Sequence, residues 1–290
     1  MHYFTKHIIM NDINLFDDNF SEDLTSTYSL LFQVSYWGFT YCIFDNYNNK
    51  YIAIKNIDFI NKLSDDSLRK RVNEIIISED ILCKPYKNTK VILNTSKSTL
   101  IPASLFDIEN LKTIFLFNHE LFDSEEIMYN KIINNDLYVI YSVPVYLKQI
   151  FGEWFNEIKF YHQSCSFIQN NLFLNKNNNQ NKVYVDINNN NFDILVIASY
   201  NLLFYNTFSF KNEDDFIYFV MNVYDKLKFN PETVEIILSG NITKDSEYYQ
   251  KIYQFIKNIS FNSQTDNFSY KFNEIPAHLF INITNLVKCE

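Results

Sequence analysis

Few residues in this 290-residue chain combine types and spacings that could do chemistry. His162 and Cys165 stand three apart in His-Gln-Ser-Cys, close enough to share one helix face. Zinc usually takes four ligands and no second pair has a suitable spacing, so no metal site is expected. A Cys–His nucleophile pair meets in space rather than in sequence, and no local signature supports one. His119-Glu120 lacks the second His of a metalloprotease helix. Ser239-Gly240 has no nucleophile-elbow pattern around it. Three polar bends lie at strand ends: Ser35, Trp37 and Gly38; Asp186, Asn188, Asn189, Asn190 and Asp193; Ser239, Gly240 and Asn241. Their plain reading is Asp186 as a strand-end acid capping a turn and the Asn run as turn formers.

The elements that would position these bends occur twice. Tyr28–Tyr36, Phe39–Asp45 and Tyr51–Phe59 alternate as strands, joined by Trp37-Gly38 and by the Asn-rich turn 46–50. Ser64, Asp65 and Asp66 then cap a helix through Ile77, with acids where the N-terminal dipole favours them. The order returns with strands at Lys182–Ile187, Phe192–Ala198 and Leu202–Phe210, and with an amphipathic helix from Asn212 to Lys228 capped by Glu213, Asp214 and Asp215. Phe39 and Phe192 each open the second strand, an offset of 192 − 39 = 153 residues. The helix caps Ser64 and Asn212 are offset by 212 − 64 = 148. The pattern predicts a duplicated α/β architecture of two lobes, each a mixed β-sheet flanked by helices, with a ligand cleft between the halves. The expected organisation is a polar leader over 1–27, disordered or loosely packed, a first lobe over 28–155 and a second over 156–290.

Elsewhere the signals are shorter. Val91–Asn94 and Thr113–Asn118 are expected as strands, with a Pro-started helical turn over Pro102–Phe106 between them. Leu137–Ser142 is a strand, and Pro144 opens a helix to about Asn156. Phe160–Leu174 is a helix or a strand–helix pair, and 175–181 is a loop. Val234–Ser239 is a buried-type strand, with helices near Ser246–Lys257 and from Pro276.

Composition narrows the partners. The net charge is −9, and the longest basic cluster, Arg69-Lys70-Arg71, shares its helix with Asp65, Asp66 and Glu74. A phosphate-backbone binder needs clustered cations, so nucleic acid is not expected. Four widely spaced Cys and no CxxC point to free thiols in a reducing cytoplasm. No signal peptide and no run near the ~18 apolar residues of a spanning helix are present, so membrane insertion is not expected. The abundance of Asn, Lys, Ile, Phe and Tyr reads as codon bias, and the aromatic residues as core.

A fold of two such β-β-β-α-β-α halves resembles the actin-like, ribonuclease-H-like ATPases. Ser35-Tyr36-Trp37-Gly38 sits where those proteins keep a first phosphate hairpin. Val185-Asp186-Ile187, Asn188–Asn191 and Phe192-Asp193 look like their second phosphate loop. Ile236-Ile237-Leu238-Ser239-Gly240-Asn241 resembles their nucleoside-side motif. More narrowly, residues 28–290 are similar to an uncharacterised bacterial family, domain of unknown function three-eight-two-two, with matching stretches at 192–197, 202–210, 213–227 and 275–286. The resemblance implies a Mg-ATP cleft, with Asp186 as the acid of an active enzyme. The motifs here are degenerate. There are only 3 Gly in the chain, the second loop has four Asn and none, and Val34 and Ser35 stand near the first-strand acid position. Phosphoryl transfer is nearly all positioning and electrostatics. The expectation is therefore a non-catalytic scaffold or adaptor whose partner is another protein, with no cofactor and no catalytic residue assigned. The alternative is an ATP-binding switch, or an ATPase or kinase-type enzyme, using the Asn-rich loops.

Overall fold

The computed structural model describes residues 13–133, 135–263, 267, 268, 272 and 275–289. These divide into two compact units, one of 13–166 with 267, 268, 272, 275 and 282–289, the other of 167–263 with 276–281.

In the first unit the chain forms β1 (Asn14–Phe16), β2 (Tyr28–Ser35), β3 (Gly38–Asp45), β4 (Lys50–Asp58), α1 (Asp65–Ser78) and β5 (Asn88–Leu93). There follow β6 (Ser98–Pro102), α2 (Leu111–Leu116), β7 (Glu125–Ile132), β8 (Leu137–Pro144), α3 (Val145–Trp154) and β9 (Ile158–His162). The main sheet runs β1-β4-β3-β2-β5-β9. β2, β3 and β4 form an antiparallel meander, while β5 and β9 join parallel to β2. Phe32 carries the core on one face, with ring centroids 5.1 Å from Phe151 of α3 and 5.5 Å from Phe39. α1 packs beside α3 with Leu68, Val72, Ile75 and Ile76 buried.

The chain crosses to the second unit inside α4 (Gln163–Leu174). β10 (Lys182–Ile187), β11 (Asn191–Ala198), β12 (Asn201–Ser209), α5 (Glu213–Lys226), β13 (Glu235–Gly240), α6 (Glu247–Phe255) and β14 (Ile259–Phe261) then repeat the plan. The sheet order β12-β11-β10-β13-β14 matches β4-β3-β2-β5-β9, antiparallel in the meander and parallel beyond it. α5 and α6 cover the face bearing Val183, Val185, Phe192, Ile194 and Leu238. The correspondence extends to irregularities. The second and third strands slip register at Ile43/Phe44 in one copy and Val196/Ile197 in the other, again 196 − 43 = 153 residues apart. α1 and α5 are both 14 residues long, capped by Ser64 onto Ser67 N and by Asn212 onto Asp215 N.

Three expectations need correction. Residues 13–27 are not loosely packed: β1 pairs with β4, and a 3-10 helix spans Glu22–Thr27 (residues 1–12 lie outside the described residues). Thr113–Asn118 is not a strand. Leu111, Ile114 and Phe115 fall on one helical face, and Phe115 is buried with Ile101 and Ile140. Pro276 opens a 3-10 turn over Ala277–Phe280 before a short α-helix, Ile281–Asn285. The three-stranded sheet β6-β8-β7, inserted between β5 and β9, has no counterpart among the described residues of the second unit and is not among the expected sheets.

Candidate functional site

The two hairpin bends are built differently from the cradle their position implies. In the first unit Ser35 Oγ accepts from Trp37 N at 3.1 Å and donates to Gly38 O at 3.3 Å. Phe59 N donates to Trp37 O and Leu63 N to Tyr36 O. Tyr36 OH donates to Asp65 Oδ1 at 2.7 Å, and Tyr146 OH to the same oxygen. The bend is thus bonded down through its amide, its carbonyls and its one phenol. Burial first, then the bond to Asp65, pushes the Tyr36 phenol above its ordinary value, so it remains a donor. Gly38 does not use its conformational freedom, since its φ is not positive; a Cβ there would meet Ile57 O at 3.2 Å. A cavity of about 30 Å³ adjoins the bend, lined by Ser35, Asn94, Thr95, Glu125 and Ser142. That is room for one or two waters, far below the ~300 Å³ of a small-ligand pocket.

In the second unit Asn188 N donates to Asn191 O at 2.9 Å, and Asn190 O accepts from Phe210 N. None of Asn188, Asn189 or Asn190 is left-handed, and neither are residues 35–38. One arrangement that turns successive amides toward an anion alternates right- and left-handed residues, and neither bend has it. Gly240 is left-handed, at φ +78°. The fold itself uses that freedom: a Cβ would lie 2.2 Å from Ile187 O, and Asn241 N bonds that same oxygen. Acids also fill the first turns of the flanking helices, Asp65 and Asp66 on α1 and Glu213, Asp214 and Asp215 on α5, where a bound anion would be repelled.

The register assembles a feature that sequence order hides. Ser239 lies opposite Asp186, Asp186 opposite Asp193, and Asp193 opposite Thr207, a polar row across four strands on one sheet face. Asp186 is 1% and Asp193 0% exposed. Ser239 Oγ donates to Asp186 at 2.7 Å; Tyr205 OH, at 3.0 Å, and Thr207 Oγ1 donate to Asp193. The row crosses β10 and β13 one residue before their carboxyl ends, where open α/β sheets bind ligands. Tyr205 and Thr207 were missed by sequence reasoning; two-residue spacing on a strand opposite an acid is the signal that finds them.

The 153-residue offset gives this row a twin. It maps Asp186 to Gln33 and Asp193 to Thr40, and Gln33 does lie opposite Thr40, which lies opposite Asn56. Thr40 Oγ1 donates to Asn56 Oδ1 at 2.7 Å. The first-copy counterpart of the acid is therefore Gln33, not Val34 or Ser35, and the whole row carries no charge. Gln33 Oε1 is enclosed without a hydrogen-bond partner. Tested residue by residue, the bends and the first-copy row do not fit a Mg-nucleotide, whereas Asp186 alone matches the expected acid.

His162 and Cys165 form no nucleophile pair. His162 Nε2 donates to Thr95 O at 2.9 Å, leaving Nδ1 to accept from Ser164 Oγ at 2.7 Å, and Cys165 Sγ donates to Asn130. Burial lowers the imidazole to about 4 and raises the thiol well above its usual range, so both are neutral near pH 7. No group of three or more His, Cys, Asp or Glu among the described residues could hold a metal.

Comparison with known proteins adds family and fold. The profile of a family described as protein of unknown function (DUF3822) matches residues 17–259. The chain belongs to that family. It is similar to a Bacteroides thetaiotaomicron protein with actin-like ATPase fold and unknown function, 23% identical with a TM-score of 0.81 over 93% of this chain and 99% of that one. It is also similar to the PilM–PilN type IV pilus biogenesis complex, at 8% identity and a TM-score of 0.60 over 90% of this chain and 98% of that one. No curated protein matches it. The actin-like ATPase fold, with a duplicated mixed sheet flanked by helices, is that of this DUF3822 member. No helix among its described residues is long and apolar enough to cross a membrane.

Proposed function

We propose that this protein is a non-catalytic scaffold or adaptor of actin-like fold, acting through contact with another protein in the cytoplasm. The observation that carries the reading is the conformation of the two phosphate bends, neither of which has a left-handed residue to converge its amides. The uncharged Gln33–Thr40–Asn56 row adds to it, because a carboxylate is missing where a hydrated cation would need one. A relative of the same fold occurs in a pilus-biogenesis complex, which is a precedent for function by contact. The rival reading is an ATP-binding switch or an ATPase or kinase-type enzyme, and it draws on Asp186 and Asp193, buried at the strand ends.

Thermal unfolding with and without Mg-ATP separates the two. A nucleotide present at ~100 times its dissociation constant stabilises by ~2.7 kcal/mol. The expected result is an unmoved midpoint. A rise in midpoint that Asp186→Asn abolishes, in a variant whose own unfolding stays cooperative, would replace the scaffold with the switch.

A further inference from the structure

The connection from β6 to β7 carries the densest run of exposed apolar side chains among the described residues. Leu105, Ile108, Leu116, Phe117 and Phe122 are all exposed, Phe117 at 80%, and all come from residues 105–122. They sit on a fixed base. Phe115 is buried against Ile101 and Ile140, His119 Nε2 bonds Ser98 O at 2.9 Å, and Glu125 accepts from Phe122 N. Lys97 Nζ lies 4.1 Å from the centre of the Phe122 ring and pairs with Glu125. An ordered base means that covering these side chains costs little further ordering. Exposed apolar side chains concentrated in one ordered segment point to a contact site.

Charge selects the occupant. Asp107, Glu109, Glu120 and Asp123 are exposed within the same segment, with Lys112 as its one cation. None of the four acids makes an ion pair among the described residues. An acidic rim repels an anionic lipid surface and attracts a cationic one. We propose that this face docks a basic, apolar-faced segment of a partner protein, its apolar side chains covering Phe117 and Leu116 and its Lys or Arg residues meeting the acids. The proposal rests on the adaptor reading and names the surface through which the adaptor works.

The test uses the full chain and a synthetic amphipathic helical peptide of Leu and Lys, with a Leu/Glu peptide of the same apolar face as control, read by fluorescence anisotropy. The expected result is saturable binding of the Leu/Lys peptide only, weakened tenfold or more by Phe117→Ser with Phe122→Ser and by Glu120→Lys with Asp123→Lys. Tyr253→Ser, an exposed aromatic far along the sequence, should leave it unchanged. Both Phe positions are solvent-facing, so circular dichroism should show the variants folded. Binding that ignores the Phe and acid changes overturns the proposal. So does Phe117-dependent binding to phosphatidylglycerol vesicles without peptide binding, which would make the face a membrane contact. An ATP shift lost in Asp186→Asn sinks the adaptor reading instead, whatever the peptide does.

Discussion

At the scale of single residues, the three glycines differ in what they are for. Gly240 is left-handed and its missing Cβ makes room for Ile187 O at 2.2 Å, so Gly240→Ala strains backbone that has nowhere to go. The expected loss is roughly 3 kcal/mol or more in a urea midpoint. Gly152 lies in α3, where a methyl group added at its Cα would meet nothing within 4 Å, so Gly152→Ala should stabilise by about 0.5–1 kcal/mol. In sequence the two differ only by neighbours: Ser239-Gly240-Asn241 resembles a nucleotide motif, and Phe151-Gly152 resembles nothing. The ligand-like glycine is explained by a strand crossing. A motif match could not reveal that, because the oxygen it avoids is 53 residues upstream, at position 187.

At the scale of elements, the β11–β12 hairpin turns through Ser199 at φ 48° and Tyr200 at φ 72°, both left-handed. A two-residue turn of this hand favours Asn-Gly, and a Tyr there bears a Cβ penalty. Replacing Ser199-Tyr200 with Asn-Gly should stabilise by about 1 kcal/mol, measured by denaturant unfolding. Two side chains tie the inserted sheet to β9: Asn130 of β7 donates to Phe160 O and accepts from His162 N and Cys165 Sγ, and Tyr141 OH of β8 donates to the same Phe160 O. Asn130→Ala removes the side-chain acceptor of His162 N and Cys165 Sγ, while Phe160 O keeps its bond from Tyr141, and should cost about 1–3 kcal/mol. The meanders and both capped helices were readable because alternation, caps and turn residues agree there, while Phe160–Leu174 was legible only as a helix or a strand–helix pair. β6, β7 and β14 were not. β7 (Glu125–Ile132) is half polar and only one of its residues, Ile132, is buried, so its strand identity comes from pairing with β8.

At the scale of the whole molecule, the duplication was legible as a 153-residue offset, and the same offset locates the Asp186 and Gln33 rows. What sequence could not supply was which face each polar residue joins, since that follows from register. Acid should weaken this molecule. The unfolded chain protonates His162 below about 6.5, the folded one only at about 4, so within that window the unfolded state holds the extra proton. Stability is full above about 6.5 and falls, by at most about 1.4 kcal/mol per pH unit from this group, as pH drops toward 4. His278, also lowered by burial, adds in the same direction. His162→Gln should flatten the slope of unfolding free energy against pH. Near the isoelectric point of about 5.1 the net charge also vanishes, so turbidity should peak there. Residues 284–289 supply carbonyls to side chains of the first unit's sheet. Tyr51 OH bonds Thr284 O, and Lys90 Nζ bonds the carbonyls of Leu286, Val287 and Cys289. During synthesis, β4 and β5 leave the ribosome well before the run of carbonyls that satisfies them. The unit that is made earliest is therefore finished late, and a nascent chain stalled before position 284 should remain sensitive to protease long after its sheet has been translated.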